Sequence, residues 1–73
     1  MIDKKHFKLY ERTMFRGYRV NVRRGQALWL CEILDANGNY AAKTRFCGSK
    51  LEATNEAAHV IEKLINGGYT NEF

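Results

Sequence analysis

The sequence contains no proline, two cysteines, two histidines and one tryptophan among 73 residues. Each scarcity removes a class of protein. Without proline, turns must be made by glycine and asparagine. Cys31 and Cys47 are too few to staple a small secreted scaffold. No apolar stretch approaches the ~18–20 residues of a membrane-spanning helix or resembles a signal-peptide core, so a cytoplasmic location and no membrane partner are expected. His6 and His59 share no motif with an acid or a nucleophile, and catalysis needs such a pairing. The chain therefore reads as a non-enzyme. No Cys-x-x-Cys or close histidine pair suggests zinc. Asp35-Ala36-Asn37-Gly38-Asn39 has calcium-loop composition. However, its glycine is fourth instead of sixth, and Phe46 stands where the bidentate glutamate belongs. Gly67-Gly68 follows a helical stretch instead of opening one, so it is no phosphate cradle. Neither a metal nor a cofactor is expected.

What remains is an ordinary globular composition, 45% hydrophobic and 27% charged, with net charge +4. Residues 1–50 hold eleven Lys/Arg and four Asp/Glu, a balance of +7, while residues 51–73 hold one Lys and four Glu, a balance of −3. A basic front of this kind attracts anionic partners.

The periodicity predicts an α+β fold, a three-stranded antiparallel sheet packed against one C-terminal helix. Residues 1–12 show no clean period and read as a basic N-terminal arm or short extra element. Residues 13–68 form the domain and 69–73 a tail. In residues 14–23, Tyr18, Val20 and Val22 alternate with Gly17, Arg19, Asn21 and Arg23, the period of a half-buried strand. In residues 27–34, Trp29, Cys31 and Ile33 share the inner face, opposite Leu28, Leu30 and Glu32. In residues 40–47, Tyr40, Ala42, Thr44 and Phe46 point inward, and Ala41, Lys43, Arg45 and Cys47 outward. Arg24-Gly25 reads as a two-residue hairpin loop, and Asn37-Gly38 as the next turn. Ser49 with Glu52 forms a capping box before a helix over 50–66. Its stripe is Ala53, Ala57, Val60, Ile61 and Leu64, and it ends at Asn66-Gly67-Gly68. Those loop lengths pair Arg23 with Gln26 and Ile33 with Tyr40. The outer rows become Asn21–Leu28–Arg45, Arg19–Leu30–Lys43 and Gly17–Glu32–Ala41.

Two resemblances follow from these segments. Phe15-Arg16-Gly17-Tyr18-Arg19 resembles the opening Y-R-G-V-R of AP2/integrase-type DNA-binding domains, and Trp29-Leu30-Cys31-Glu32-Ile33-Leu34-Asp35 resembles their W-x-A-E-I-R-D. Glu56-Ala57-Ala58 follows on the helix. Leu34 replaces an arginine of that pattern, and the third strand lacks its tryptophan. The resemblance covers about residues 15–62. It implies DNA reading through the sheet, with Arg16, Arg19 and Glu32 as contacts. Gly48 to Ala58 is similar to the G-x-S-K-K-E-A-K-N-x-A-A segment of double-stranded RNA-binding domains. Of that family's phosphate-gripping lysines, only Lys50 is present.

The reading is a small DNA-binding module using its basic outer sheet face, with Arg16, Arg19, Arg23, Glu32, Lys43 and Arg45 as contacts. The alternative is a protein-binding regulator or inhibitor of the kind phages encode, or a homodimer. It would use Leu28, Leu30 and the sheet edge, because leucines left exposed mid-sheet call for a cover.

Overall fold

The computed structural model describes residues 7–67. His6 and the proposed tail at 69–73 lie outside them. Four antiparallel strands run in sequence order, β1 (Lys8–Phe15), β2 (Tyr18–Arg24), β3 (Trp29–Leu34) and β4 (Tyr40–Lys43), and α1 (Lys50–Ile65) lies across one face. The fold is α+β with one C-terminal helix, as expected, but the sheet has four strands instead of three. The addition is β1, which begins inside the segment read as a basic arm and takes up its residues 8–12.

The β1–β2 turn explains the difference. Arg16 (φ 50°) and Gly17 (φ 86°) are both left-handed, the signature of a two-residue type I′ hairpin. Phe15 pairs with Tyr18, and the ladder then runs back along β1. Gly17 is thus a turn residue, and the strand assigned to residues 14–23 is really a hairpin tip plus β2. A bulge between Leu9 and Glu11 breaks the alternation upstream, so β1 shows no readable period.

Registers elsewhere differ from expectation by amounts that decide which face each residue occupies. β2 and β3 pair Arg23 with Leu30 and Arg24 with Trp29, leaving a four-residue loop at 25–28. That register is four residues away from the expected one. An even shift preserves the faces, and Val20, Val22, Cys31 and Ile33 all reach the core. Gly25 serves a purpose other than a tight turn. A Cβ there would lie 2.9 Å from the Phe7 ring, so the glycine makes room for an aromatic.

β3 and β4 pair Glu32 with Lys43 and Ile33 with Ala42, then slip by one so that Leu34 faces Tyr40. A second one-residue slip follows Lys43, where Trp29 bridges Cys47 through two backbone hydrogen bonds of 2.8 Å. Odd shifts flip faces. Tyr40 and Phe46, expected inside, are exposed, and Cys47, expected outside, is buried with Cys31. Thr44 bridges the irregularity: its hydroxyl accepts from the Cys31 N–H (3.0 Å) and donates to the Arg45 carbonyl (3.0 Å). Its own N–H donates to the Cys31 carbonyl (2.9 Å).

The core joins Val20, Val22, Cys31, Ile33, Ala42 and Cys47 to Ala53, Ala57, Val60 and Ile61 of α1, with Tyr18, Trp29 and Leu64 at its margin. The Ser49 hydroxyl accepts from the Glu52 N–H (3.1 Å), capping the helix as its sequence anticipates. Gly67 (φ 73°) closes it in the left-handed conformation. Among the described residues, no helix is long and apolar enough to cross a membrane.

Burial pushes the Cys31 thiol from its ordinary 9.0 up to about 12, with Cys47 and the Glu11 carboxylate adding to the effect. Burial raises Cys47 as well, and the nearby Glu52 carboxylate adds to it. Both thiols are free. A group held protonated by the fold stabilises it only while the unfolded group is also protonated. Stability should therefore fall as pH rises from about 9 toward 12. At about pH 8 a thiol reagent should modify the native protein far more slowly than the denatured chain. Equal rates would mean that the core does not shield the two thiols. A second expectation concerns packing. Gly25→Ala should lower stability by about 1–2 kcal/mol in chemical denaturation, because Phe7 is itself buried and has little room to move.

Candidate nucleic-acid interface

The observed register assembles the outer face into new rows. Arg12, Asn21, Glu32 and Lys43 form one row across all four strands. Met14, Arg19, Leu34 and Tyr40 form the next, and Leu9, Arg23 and Leu30 the one on the other side. These replace the rows built on the tighter loops.

The two halves of this face differ. Around Leu30 it is closed. Leu30 is 5% exposed, Glu32 7% and Phe7 5%. Phe7 packs on Phe46 with ring centroids 5.4 Å apart, and its carbonyl accepts from Arg23 Nη1 at 3.2 Å. Arg23 Nε also donates to Glu32 Oε1, making a largely buried ion pair. Leu30 therefore lies inside the fold and Leu28 is half-buried, so the expected leucine docking surface is largely internal. Arg23 and Glu32, both expected as contacts, are spent on each other.

Toward the β1–β2 turn the face is open. Two adjoining shallow depressions of about 290 and 310 Å³ share Arg12, Arg19 and Asn21. Thr13 and Met14 complete the first, and Leu34 and Gly38 the second. Arg19 leans over the β3–β4 turn, its guanidinium Nη2 donating to the Ala36 carbonyl at 3.5 Å. That turn is held by Asp35, whose carboxylate accepts from the N–H groups of Asn37 and Asn39 at 2.9 Å each. Asp35 thus shapes a turn, as the sequence implied. Neither Arg12 nor Arg19 has a carboxylate partner among the described residues.

Arg16, Arg45 and Lys50 are drawn to the helix side. Arg16 Nη1 meets Glu62 Oε1 at 2.7 Å. Arg45 Nη2 lies 3.4 Å from Glu56 and 4.0 Å from Glu52. Lys50 donates to Glu11 at 2.8 Å, and that bond raises its pKa. Lys50 also sits 5.3 Å from the Tyr10 ring, which meets Trp29 edge-on at 4.9 Å. Arg24 covers the same indole at 5.3 Å.

Of the expected contacts, Arg19 and Lys43 thus share the outer face. Arg23 and Glu32 are internal to it, and Arg16 and Arg45 belong to the other side. Arg12 and Asn21 were missing from the expected set. Alternation alone puts Asn21 on the outer face; the signal for Arg12 is Arg16-Gly17 as a turn, which continues the sheet upstream and sets Arg12 beside Asn21. No group of three or more potential metal ligands occurs among the described residues.

No protein-family model matches the chain, and no curated protein or solved structure is similar enough to count as a match. The reading of the site rests on its own geometry.

Arg23→Ala removes the ion pair that Arg23 makes with Glu32 in a nearly closed environment. Losing one member of a buried pair costs about 3–5 kcal/mol. With the Arg23 side chain 29% exposed, a loss of about 2 kcal/mol is expected by denaturant titration. A loss below about 0.5 kcal/mol would show the pair to be solvated like any surface bridge.

Proposed function

We propose that the protein binds duplex DNA through the open half of its outer sheet face, with Arg12 and Arg19 as the principal contacts, Asn21 between them and Lys43 at the far end of the same row. The observation that carries this reading is the sorting of charge. Arg16, Arg45 and Lys50 face glutamates, while Arg12 and Arg19 line a shared concavity with no carboxylate partner among the described residues.

The dimensions suit a duplex. Three inter-strand steps of ~4.8 Å put the ends of the Arg12–Asn21–Glu32–Lys43 row about 14 Å apart. A major groove is about 12 Å wide. Arg12 and Lys43 can then reach phosphates on opposite walls, while Arg19 and Asn21 stand over the groove. Arginine pairs with guanine and asparagine with adenine through two hydrogen bonds each. The sheet-reading mode implied by the AP2-like segments agrees with this placement for Arg19. Arg16 and Glu32 take no part in it.

The test is a titration of labelled duplex DNA at several salt concentrations. Two or three neutralised phosphates give a log–log salt slope of about −2 to −3. Arg12→Ala/Arg19→Ala should weaken binding roughly tenfold or more, whereas Arg16→Ala/Arg45→Ala removes equal charge and should change it less than about threefold. Equal losses in the two variants would reduce the effect to net charge. An absence of binding at low salt would overturn the reading.

A further inference from the structure

We propose that the outer edge of β1, which no strand among the described residues pairs, pairs with a second copy of this chain, antiparallel about a twofold axis at Thr13, to make a continuous eight-stranded sheet.

The two edges of the sheet are built differently. β4 has four residues, with one register slip within it at Ala41, another after it, and Lys43 at its end. Short length, irregularity and lysine are the devices that keep an edge from pairing. β1 has eight residues, and its bulge is confined to the Leu9–Glu11 end. From Glu11 to Phe15 it is regular, with no lysine or proline. Apolar exposure gathers on the same strand. Leu9, Tyr10, Met14 and Phe15 account for four of the eight exposed large hydrophobics among the described residues, and Met14 is 63% exposed. The helix leaves this edge uncovered. A groove of about 150 Å³ between β1 and α1, lined chiefly by Thr13, Phe15, Val20, Thr54, Ala57 and Ala58, borders it.

Backbone geometry selects the register. In a two-residue hairpin the closing pair, here Phe15 and Tyr18, exchanges hydrogen bonds, so alternate residues Thr13 and Glu11 also face β2. The N–H and C=O groups of Arg12 and Met14 then point out of the sheet. A twofold axis normal to the sheet keeps both helices on one side, so residues from the same face must oppose each other. Centring on Glu11 or Arg12 sets like charges directly opposite, and centring on Met14 sets Arg12 against Arg16, arrangements that destabilise a strand pair. Centring on Thr13 pairs threonine with threonine, Arg12 with Met14 of the second copy, and Glu11 with its Phe15. Arg12 and Met14 then supply the outward hydrogen-bonding groups of both copies, and the pairing ends where the bulge begins.

In this arrangement the two outer faces become one surface, and the two Arg12–Arg19 concavities flank the axis. The inference stands on the edge itself and holds whether or not that face meets DNA.

Sedimentation of the unmodified chain over a range of concentrations should give a mass rising from one chain to two. Met14→Lys places a lysine opposite Arg12 of the second copy and should weaken association roughly tenfold. Thr13→Cys gives the second readout. At a twofold non-hydrogen-bonded pair the two Cα atoms lie about 4.5 Å apart, within disulfide range, and both native thiols are buried. Mild oxidation should give covalent dimer much faster than with Lys43→Cys on the opposite edge. A mass of one chain at every concentration, or equal cross-linking rates for the two cysteine variants, would overturn the proposal.

Discussion

The burial of one sheet face against α1 constrains everything else. Val20 and Val22 of β2, Cys31 and Ile33 of β3, and Ala42 of β4 meet Ala53, Ala57, Val60 and Ile61. With that face fixed, side chains on each strand are assigned inward or outward by parity alone, and any odd register shift reverses the assignment. The one-residue slip after Lys43 brings Cys47 into the core and sends Phe46 toward Phe7. The bulge before Glu11 works the same way on β1, where the extra residue brings Tyr10 against Trp29. The outer face is thus a consequence of the inner one. Arg19 and Asn21 face outward because Val20 and Val22 are committed to the core, and Arg12 joins them by pairing with Asn21.

This parity explains what could be read in advance. β2, β3 and α1 follow unbroken periods, and a register error of four residues between β2 and β3 moved no side chain across the sheet. The helix cap was local, three residues from Ser49 to Glu52, and local chemistry is legible. β1 was not, because its bulge breaks the alternation and a left-handed arginine is an uncommon start for a type I′ turn. The far end of β4 was misread because a slip has no compositional signature. The candidate site was only half legible. Arg19 and Lys43 could be placed from alternation, but Arg12 needed β1. The removal of Arg16 needed an ion pair spanning 46 residues of sequence.

Charge is redistributed by the same long-range contacts. The acidic helix and the basic front are separate in sequence, yet Glu52, Glu56 and Glu62 fold back onto Arg45 and Arg16. Each of these bridges is exposed and contributes about 0–1 kcal/mol at most. Their larger effect is on where uncompensated charge remains. Arg12 and Arg19 on the outer sheet face keep no carboxylate partner among the described residues.

Arg16 shows why such weak bridges are kept. A residue other than glycine or asparagine in the left-handed region costs on the order of 1–2 kcal/mol. The 2.7 Å contact with Glu62 offsets at most about half of that. Asparagine would satisfy the same turn with less strain, so the arginine adds no net stability. What it adds is position. It ties the tip of the β1–β2 hairpin to α1 and holds the two walls of the β1–α1 groove in register. The strained turn also keeps one more cation off the outer face.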